Sequence, residues 1–503
     1  MQKHGTPVGA VVLPGPCIES FHRECQMVFP EIKNLQFRGV EPATNKTNGY
    51  ACKTCKTIHL QTEVVASILD GDAPSLVEFI HRNDGQFLPG VRKRRDTRHS
   101  EARTPREGIS ARPPPGKFTF VELFAGVGGF RLGLEPIGGS CVLASERDEV
   151  ACAFYRRHFG THRSDAGDNP CPELVEGDVI DIVSEDFPEG GFDLLTAGFP
   201  CQPFSARGKK KGLDDDGHRG QMYQELVRIL AEEQPSYFLF ENVVGLVTMD
   251  GGRRVVCESS SSDRNEHFFE SGRTMETVVN AFRSCGYKVE WHVVNCKHFC
   301  PQHRERVYFF GSRSELDCPD LNWDGIYPSE APTRLLRDFL ERDHADCPDV
   351  RGCELSERQW EMVRRKCEAQ GEEPALSRLG LKIHEPSAPT LISSYRTPAS
   401  LSARFVTEEA DGTLRDGRPL RPRFLTPAEF RRIMGFPDTF EVTAPPRVGD
   451  AKNRNDVDEG FVDGHAYKVL GNAVVPAVVE AIGREILRLM EEVNARPERG
   501  TKN

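Results

Sequence analysis

The sequence predicts an α/β fold, in which a doubly wound sheet carries helices on both faces. From residue 118 to about residue 312, short apolar runs with strand character alternate with segments of helical periodicity, and this alternation is typical of such a sheet. The first run, FTFVELF, leads through a glycine-rich turn into an amphipathic segment. Strand, turn and helix follow one another in this way in nucleotide-binding folds.

The strand runs divide the chain into regions. The runs in chain order are FTFVELF, CVLASE, FDLLTAG, YFLFENV, YKVEWHVV and RVYFFG. After them the chain becomes irregular and rich in Pro, Asp and Arg, which indicates a smaller second domain, and helical periodicity then returns. We therefore expect an N-terminal extension (1–90), a basic proline-rich linker (91–117), the α/β domain (118–312), the small domain (313–422), a C-terminal return to the first domain (423–492) and a tail (493–503).

Composition narrows the class of protein. The apolar fraction of 38% and the charged fraction of 28% are ordinary for a soluble chain. We find neither a run long enough to span a bilayer nor a secretory signal, so a cytoplasmic protein is expected, and its sixteen cysteines are expected to be reduced thiols. The net charge of −11 argues against a generally basic surface, so a polyanionic partner would need a locally basic cleft.

The turn after the first strand favours a nucleoside ligand. Gly126, Gly128 and Gly129 allow close backbone approach, and Glu146 ends the second strand about twenty residues later, where a carboxylate can accept hydrogen bonds from a ribose diol. The glycines do not have the G-x-G-x-x-G spacing of dinucleotide sites. Asp178, in the run EGDVIDI, is placed to accept a hydrogen bond from an adenine amine. The alternatives are a tight turn beside an exposed Glu146, and a surface aspartate.

One cysteine follows a strand in a stiff segment. Cys201 comes just after FDLLTAG, between Pro200 and Pro203, at the strand end where open α/β sheets place their ligand sites. Restricted backbone is what a positioned nucleophile needs. An idle or buried thiol is the commoner role of a cytosolic cysteine.

Polar groups at neighbouring strands favour the functional alternative. Glu241 and Asn242 interrupt the apolar run YFLFENV at its end, and Arg304 and Arg306 precede RVYFFG two residues apart, on one side of an extended segment. A thiol, a carboxyl group and guanidinium groups at one sheet edge make a plausible covalent active site.

These segments belong to a recognisable order of motifs. From Phe118 to about Leu489 the chain resembles the DNA (cytosine-5) methyltransferases, on eight blocks in the family's order: FAGVGGFRLGLE, ASERD, GDVID, GFPCQPFSARGKKKG, ENVVGL, PQHRERVYFFG, RFLTPAEFRRIMGFPD and YKVLGNAVVP. The resemblance implies a Rossmann-like class I methyltransferase sheet with a smaller irregular target-recognition domain. It also implies methyl transfer from S-adenosylmethionine to C5 of cytosine in double-stranded DNA.

The resemblance assigns roles to the catalytic candidates. Cys201 matches the nucleophile that adds to C6 of cytosine, and Glu241 matches the acid that acts at N3. Arg304 matches the first arginine of the Q-x-R-x-R block, which is held to contact the base O2 and the catalytic loop. Arg306 is the second, with a more structural role expected.

The resemblance also assigns the cofactor site. Phe124 and the turn match contacts to the adenosine and methionine parts, Glu146 matches the ribose contact and Asp178 the adenine contact. Near the C-terminus, Asn472 and Val474 match the block that closes over the methionine part. The implied cofactor residues are Phe124, Ala125, Gly126, Gly128, Glu146, Asp178, Gly198, Pro200, Asn472 and Val474.

The DNA contacts are expected in two places. A cytosine in a duplex must be flipped out before C6 is accessible, and the glycine-hinged, lysine-rich run SARGKKKGLDDDGHRG predicts a mobile lid, with a solvated charged loop as the alternative. Sequence recognition falls to residues 313–422, and Glu429 with Arg432 in the following helix predicts a structural pair. The expected DNA-binding residues are Gln202, Ser205, Arg207, Lys209, Arg219, Thr390, Leu391 and Arg396.

Some segments depart from the family pattern. The segment HFCPQ is one residue shorter than usual and contains Cys300, and the Ser-rich run 258–263 is an insertion that we expect to be a solvated loop. The first 90 residues lie outside the resemblance. There, Cys52 and Cys55 form one C-x-x-C, with Cys17, Cys25, His22 and His59 available as further zinc ligands. Free thiols are the preferred interpretation, so no metal is predicted.

Two other functions remain open from the sequence. An enzyme of the same fold could methylate cytosine in RNA, although the long region before residue 422 favours duplex DNA. A catalytically silent DNA-binding protein could keep the fold, although the presence of Cys201, Glu241 and Arg304 argues against loss of activity. The preferred hypothesis is a monomeric bacterial modification methylase of a restriction-modification system, with a cognate restriction endonuclease as a further partner.

Overall fold

The computed structural model describes residues 117–160, 173–200, 222–256, 267–330, 333–341, 350, 352–369, 379–396, 404–407, 422–443 and 464–496, together with five short strands before residue 61. Those five strands are β1 (Ala10–Val11), β2 (Met27–Val28), β3 (Val40–Pro42), β4 (Gly49–Cys52) and β5 (Ile58–Leu60). Strand β1 pairs with β2, and β4 pairs with β3 and β5, all antiparallel. The side chains of the candidate zinc ligands lie outside the described residues.

The rest of the described chain is α/β. The further strands are β6 (Phe118–Leu123), β7 (Gly139–Glu146), β8 (Leu174–Glu176), β9 (Leu194–Gly198), β10 (Tyr237–Val243), β11 (Arg253–Val256), β12 (His267–Glu270), β13 (Tyr287–Asn295), β14 (Gln302–His303), β15 (Glu305–Arg313) and β16 (Ala388–Pro389). The helices are α1 (Gly129–Leu134), α2 (Glu149–Phe159), α3 (Met222–Glu233), α4 (Gly245–Thr248), α5 (Arg273–Arg283), α6 (Glu357–Glu368), α7 (Pro427–Ile433), α8 (His465–Asn472) and α9 (Pro476–Asn494). No helix in these described parts is long and apolar enough to cross a membrane.

Seven strands form the central sheet, in the order β13-β15-β10-β9-β6-β7-β8. Strands β8, β7, β6, β9 and β10 are parallel, whereas β15 runs antiparallel to both β10 and β13. The carboxyl ends of the parallel strands therefore lie at one edge of the sheet, and β15 begins at that same edge. This places the end of β10 next to the Q-x-R-x-R segment, with Val243 opposite Arg306.

Strand alternation divides the core into two layers. In β10, Tyr237 and Leu239 pack in one hydrophobic cluster with α1 and α9. Phe238 and Phe240 pack in the other, with α3 and α5. Since successive side chains of a strand point to opposite faces, the sheet is covered by helices on both sides. The predicted α/β sheet is thus confirmed.

A third cluster joins the small irregular region to the chain that follows it. Leu336, Leu391 and Phe405 pack there with Phe430 and Tyr467, and Val127 and Phe154 of the first domain join them. In contrast, Cys318, Leu321 and Ile326 pack in the cluster of α1 and α9. The hydrophobic packing therefore groups residues 424–473 with the small region, and residues 318–326 with the sheet, which differs from the limits expected at 313 and 422.

The Ser-rich insertion is flanked by a two-stranded ribbon. Strands β11 and β12 pair antiparallel, with Arg253 opposite Glu270. The guanidinium of Arg254 stacks over the ring of Phe269 and forms an ion pair with Glu305 of β15. Residues 257–266, where a solvated loop was expected, lie outside the described residues. The β11–β12 ribbon is therefore fastened to the sheet beside the arginine segment.

The expected Glu429–Arg432 pair is wrong. Glu429 is fully buried and makes a two-pronged ion pair with Arg423, at 2.7 and 2.9 Å. Its carboxylate also accepts hydrogen bonds from the backbone N–H groups of Thr426 and Glu341, at 2.8 Å each. Arg432 pairs instead with Glu341. Three-residue spacing brings two side chains to one helix face, but here the segments packed against α7 supply the partners.

We predict that Glu429→Ala lowers the free energy of unfolding by about 3–5 kcal/mol, because it leaves the Arg423 charge buried without a counter-ion. Urea unfolding followed by circular dichroism measures the change. Replacing both partners, in Arg423→Met with Glu429→Leu, should recover much of the loss. The matched control is Glu361→Ala on exposed helix α6, where the pairs with Arg364 and Arg365 lie at the surface and no measurable change is expected. Equal effects of Glu429→Ala and Glu361→Ala would contradict the prediction.

Candidate active site

The glycine-rich turn is held open at the end of β6. Phe124, Gly126 and Gly128 have φ values of 53°, 57° and 83°, in the left-handed region that favours glycine and strains Phe124. A Cβ at Gly126 would meet no atom within 4 Å, whereas one at Gly128 would overlap the ring of Phe159. Ala125 is buried, and its N–H donates to Ser145 O of β7 at 2.9 Å. The turn therefore leaves free space above Gly126 and is packed below Gly128.

Glu146 lies directly beside this turn. One carboxylate oxygen accepts a hydrogen bond from Gly126 N at 2.8 Å, and the other accepts from Arg147 N and Asp148 N at 2.8 and 2.7 Å. A carboxylate has about four acceptor positions, so this fixed group keeps capacity for a hydroxyl donor. Sequence reasoning predicted a ligand-facing Glu146, and the structure adds that Glu146 also fastens the turn.

Asp178 lies at the same edge of the sheet, just after β8. Its carboxylate accepts from Ile180 N at 3.3 Å and pairs with the guanidinium of Arg147 at 3.0 Å. Because Arg147 follows Glu146 in the chain, the two acidic groups are joined through this arginine. The structure thus brings Asp178 to the side of the turn that carries Glu146.

The C-terminal segment reaches the turn through Val474. A Cβ at Gly129 would lie 2.6 Å from Val474 Cγ2, and a Cβ at Gly198 would lie 3.7 Å from Val474 Cγ1 and 3.8 Å from Glu241 Oε2. Val474 is buried and Asn472 is exposed. The end of β9, just before Pro200, is therefore a meeting point of the turn segment, the C-terminal segment and Glu241.

Glu241 is paired with an arginine at this meeting point. Its carboxylate lies 3.0 Å from Arg306 Nε, and both side chains are largely buried. Burial raises the pKa of Glu241, and the positive charges of Arg306 and Arg304 lower it, with a net upward shift. The next residue, Asn242, donates from Nδ2 to Phe199 O at 3.3 Å, which fixes the chain two residues before Cys201. The site therefore holds a carboxyl group that is easier to protonate than an exposed one.

The structure corrects the roles expected for the two arginines. Arg304 is 2% exposed, and its guanidinium donates to the carbonyls of Leu391, Gly471 and Ala473, at 3.0, 3.3 and 3.0 Å. Burial lowers its pKa to about 10. A guanidinium enclosed by backbone carbonyls cannot face a base. Arg304 is therefore a structural residue that joins the small region and the C-terminal segment to the start of β15. It is Arg306 that lies against Glu241.

Gln302 is a structural residue that sequence reasoning missed. It is fully buried; its Oε1 accepts from Leu391 N at 3.0 Å, and its Nε2 lies 3.0 Å from Met434 Sδ. Its neighbour His303 accepts, through its carbonyl, a 2.7 Å hydrogen bond from Thr390 Oγ1. The sequence feature that could have indicated this structural role is the polar Gln302 of the Q-x-R-x-R block. Thr390 and Leu391 are thus held against this block rather than projecting freely.

Arg396, expected to meet DNA, is engaged within the protein. Its guanidinium donates to Gly352 O at 2.9 Å and to Cys353 Sγ at 3.5 Å, and it stacks 5.4 Å from the centre of the Phe424 ring. Leu391 is 2% exposed. Both expectations of a base or phosphate contact through these side chains are therefore corrected: both residues build the small domain.

The predicted nucleophile and lid lie outside the described residues. The segment 201–221 contains Cys201, Gln202, Ser205, Arg207, Lys209 and Arg219. Of the thiols that are described, burial raises the pKa of Cys152 to about 12 and that of Cys285 to about 11, which disfavours the thiolate. Cys296 differs, because a hydrogen bond with Cys300 and the nearby Arg304 and Arg306 lower its pKa, but it is fully buried. In the described parts of the chain, no group of side chains is arranged to hold a metal ion.

Comparison with known proteins adds an independent finding. A family described as "C-5 cytosine-specific DNA methylase" matches residues 118–488. The Type II methyltransferase M.NlaX of Neisseria lactamica is 30% identical over 383 residues, which cover 75% of this chain and 99% of that protein. The Type II methyltransferase M.HhaI of Haemophilus parahaemolyticus is 30% identical over 370 residues, covering 73% and 93%, and M.DsaV of Dactylococcopsis salina is 28% identical over 373 residues, covering 74% and 86%.

We predict that Arg304→Met destabilises the protein by about 2–4 kcal/mol, because three carbonyls at the joint lose their donor and become buried without a hydrogen bond. Arg304→Lys should also destabilise it, since an ammonium group cannot span the same acceptors. Urea unfolding gives the size of the loss. Protection of residues 388–396 and 464–473 from hydrogen exchange shows where the protein loosens. Unchanged protection of both segments would be incompatible with a joint at Arg304.

Proposed function

The chain belongs to the C-5 cytosine-specific DNA methylase family, and from this premise we propose a sequence-specific modification enzyme that methylates a flipped-out cytosine through a covalent Cys201 adduct. That it is a DNA (cytosine-5) methyltransferase follows from the family. The observation that carries the finer proposal is the meeting of Glu241, Arg306 and Val474 around Gly198, the last residue of the strand that leads to Cys201. At this point a carboxyl group and a guanidinium group lie beside the C-terminal segment that is assigned to the cofactor.

The proposed cofactor is S-adenosylmethionine. The free space above Gly126, the fixed carboxylate of Glu146 and the nearby carboxylate of Asp178 fit a nucleoside, since ribose hydroxyls and an adenine amine donate hydrogen bonds. Val474 supplies an apolar wall between the turn and Gly198. We assign binding to Phe124, Ala125, Gly126, Gly128, Glu146, Asp178, Gly198, Pro200, Asn472 and Val474. When bound, the cofactor supplies an electrophilic methyl group.

The protein's own groups make C5 of cytosine reactive. The Cys201 thiolate adds to C6, so that a sulfur–carbon bond forms and the C5–C6 π electrons move toward C5 and N3. Glu241, whose pKa is raised by burial, gives a proton to N3 and is left as a carboxylate beside Arg306. After C5 has been methylated, the C5 proton is lost to solvent, the C6–S bond breaks to release the thiolate, and N3 returns its proton to Glu241, so that the C5–C6 double bond and the neutral ring are restored. Arg306 stabilises the carboxylate that the proton transfer creates.

The proposed substrate is double-stranded DNA with the target cytosine outside the stack. The basic segment 201–221, with Gln202, Ser205, Arg207, Lys209 and Arg219, is assigned to the DNA backbone and the gap left by the base. Target recognition is assigned to the small region, with Thr390 near the base. The similarity to Type II methyltransferases favours a bacterial modification methylase that acts with a restriction endonuclease. That the enzyme is monomeric and cytoplasmic stays a prediction from the sequence.

We predict that Cys201→Ser abolishes methyl transfer and leaves DNA binding intact, because a hydroxyl is too weak a nucleophile without a dedicated base. Purified protein is incubated with labelled S-adenosylmethionine and unmethylated genomic DNA, and modified cytosines are mapped at base resolution. A parallel incubation with RNA tests the alternative substrate. Cys285→Ser, in a half-buried thiol away from the site, is the control and should remain active. Full activity of Cys201→Ser would rule out the covalent route.

We predict that Glu241→Gln lowers kcat by about 10²–10⁴-fold, the usual contribution of a general acid. The protonated form of Glu241 is the active one, so wild-type kcat should fall as the pH rises through the raised pKa of this group. The variant has no such group and should lose this alkaline decline. The measurement is the pH profile of kcat under saturating DNA and cofactor. An alkaline decline of the same midpoint in the variant would assign it to another group.

A further inference from the structure

A second carboxyl group lies directly beneath the glycine-rich turn at residues 124–128, hereafter the cofactor turn. Glu122, the penultimate residue of β6, is fully buried. Its Oε1 accepts a hydrogen bond from Phe130 N at 3.0 Å, and its Oε2 accepts from Tyr155 Oη at 3.4 Å. The first bond joins the end of the strand to the first turn of α1, and the residues between them are the cofactor turn itself. Glu122 therefore fastens the two ends of that turn.

The surroundings of Glu122 leave it without an ion pair among the described residues. The charged and titratable groups near it are Arg131 and Glu135 of α1, Tyr155 of α2 and Cys141 of β7. The Arg131 guanidinium is already engaged with Glu135 at 2.7 Å and Tyr155 Oη at 3.3 Å, and it stacks 4.4 Å from the centre of the Phe159 ring. When ionised, Glu122 thus carries a buried charge that has no ion pair of its own among the described residues and is stabilised by hydrogen bonds and by the nearby charge of Arg131.

The balance of these effects favours a neutral carboxyl group in the unliganded protein. Burial raises the pKa of Glu122 to about 8, and the N–H groups of Phe130 and Arg131 together with the Arg131 charge only partly oppose it. Burial keeps the pKa values of Tyr155 and Cys141 above their ordinary values, so these two groups remain neutral. Near neutral pH, Glu122 is consequently the group in this cluster that can change its charge.

The cofactor turn is tightly packed, so a change in the charge of Glu122 can alter the position of the turn. Gly128 lies against Phe159, whose ring also receives the Arg131 guanidinium, and Gly129 lies against Val474. A carboxylate accepts the Phe130 N–H more strongly than a neutral carboxyl group does. The charge on Glu122 therefore affects both the position of the turn and the electrostatic potential at it.

We propose that Glu122 is a positioning residue of the cofactor site, which releases its proton when S-adenosylmethionine binds on the turn above it. This inference rests on the proposed function, since it takes that cofactor as the ligand. The sulfonium group is a cation, and a nearby positive charge favours the carboxylate. The proton leaves to solvent, so the O–H bond of Glu122 breaks and its electron pair stays on the carboxylate. By linkage, cofactor affinity rises as the pH increases toward about 8, the pKa of Glu122 without cofactor, and levels off above it.

Binding calorimetry of the full chain from pH 6.5 to pH 9 tests the proposal. The ligands are S-adenosylmethionine and S-adenosylhomocysteine, which lacks the sulfonium charge but keeps the same amino group. In the wild type, affinity for S-adenosylmethionine should rise about three- to tenfold more across this range than in Glu122→Gln, since each unit of pKa lowering corresponds to about tenfold in affinity. The difference between the two proteins should be smaller with S-adenosylhomocysteine.

The matched control is Glu290→Gln. Glu290 is a half-buried carboxyl group with a raised pKa on β13, at the far edge of the sheet, and its removal should leave the pH dependence of binding unchanged. If Glu122→Gln does not fold, the wild type alone decides the question. Titrations in buffers of different ionisation enthalpy should then show more proton release with S-adenosylmethionine than with S-adenosylhomocysteine.

The outcomes separate this inference from the proposed function. Identical pH dependence in wild type and Glu122→Gln, or equal proton release with both ligands, overturns the role of Glu122 and leaves the cofactor assignment standing. Failure of the wild type to bind S-adenosylmethionine at any pH overturns the cofactor assignment itself.

Discussion

The arrangement of the site depends on one buried guanidinium group. Arg304 donates to carbonyls of Leu391, Gly471 and Ala473, which are 87, 167 and 169 residues further along the chain. Backbone carbonyls buried at such a junction would be costly without donors, and one planar guanidinium with five N–H groups can serve several at once. Because β15 starts immediately after Arg304, this junction also sets where Arg306 meets Glu241. The small region, the C-terminal segment and the catalytic edge are therefore positioned together.

Near this junction lie two buried carboxyl groups, and one of them, Glu241, is suited to proton transfer. Glu241 and Glu429 are both buried and both contact an arginine. Glu429 accepts four hydrogen bonds and serves as a fixed counter-ion. Glu241 has an ion pair with Arg306, and burial still raises its pKa. Four donors surround the carboxylate of Glu429, whereas at Glu241 burial is the dominant influence and suits this group to proton transfer.

The cofactor turn shows the same contrast between two carboxylates. Glu146 accepts three backbone hydrogen bonds at the surface edge of the turn, whereas Glu122 lies beneath it with a pKa raised to about 8. The backbone of the turn is strained at Phe124 and open at Gly126. Val474 completes the enclosure from the far end of the chain. The C-terminal helix must therefore pack on α1, where the hydrophobic cluster places it.

The sequence by itself determined the α/β sheet and the enzyme family, which are confirmed, and the six predicted strand runs correspond to six of the seven strands of the central sheet. The seventh strand, β8, was not among them. The alternation of strand residues and the positions of turn glycines are set by neighbours in the sequence, so they can be recognised without the tertiary structure. The eight ordered motifs indicate the enzyme family, which matches residues 118–488. The catalytic, cofactor and DNA assignments stay predictions, with Cys201 outside the described residues. Only the tertiary structure decided the partners of individual charges: Arg306 rather than Arg304 beside Glu241, Arg423 rather than Arg432 beside Glu429, and Arg396 inside the small region. The physical reason is that local spacing sets which face a side chain occupies, while packing of segments distant in sequence sets what it meets there.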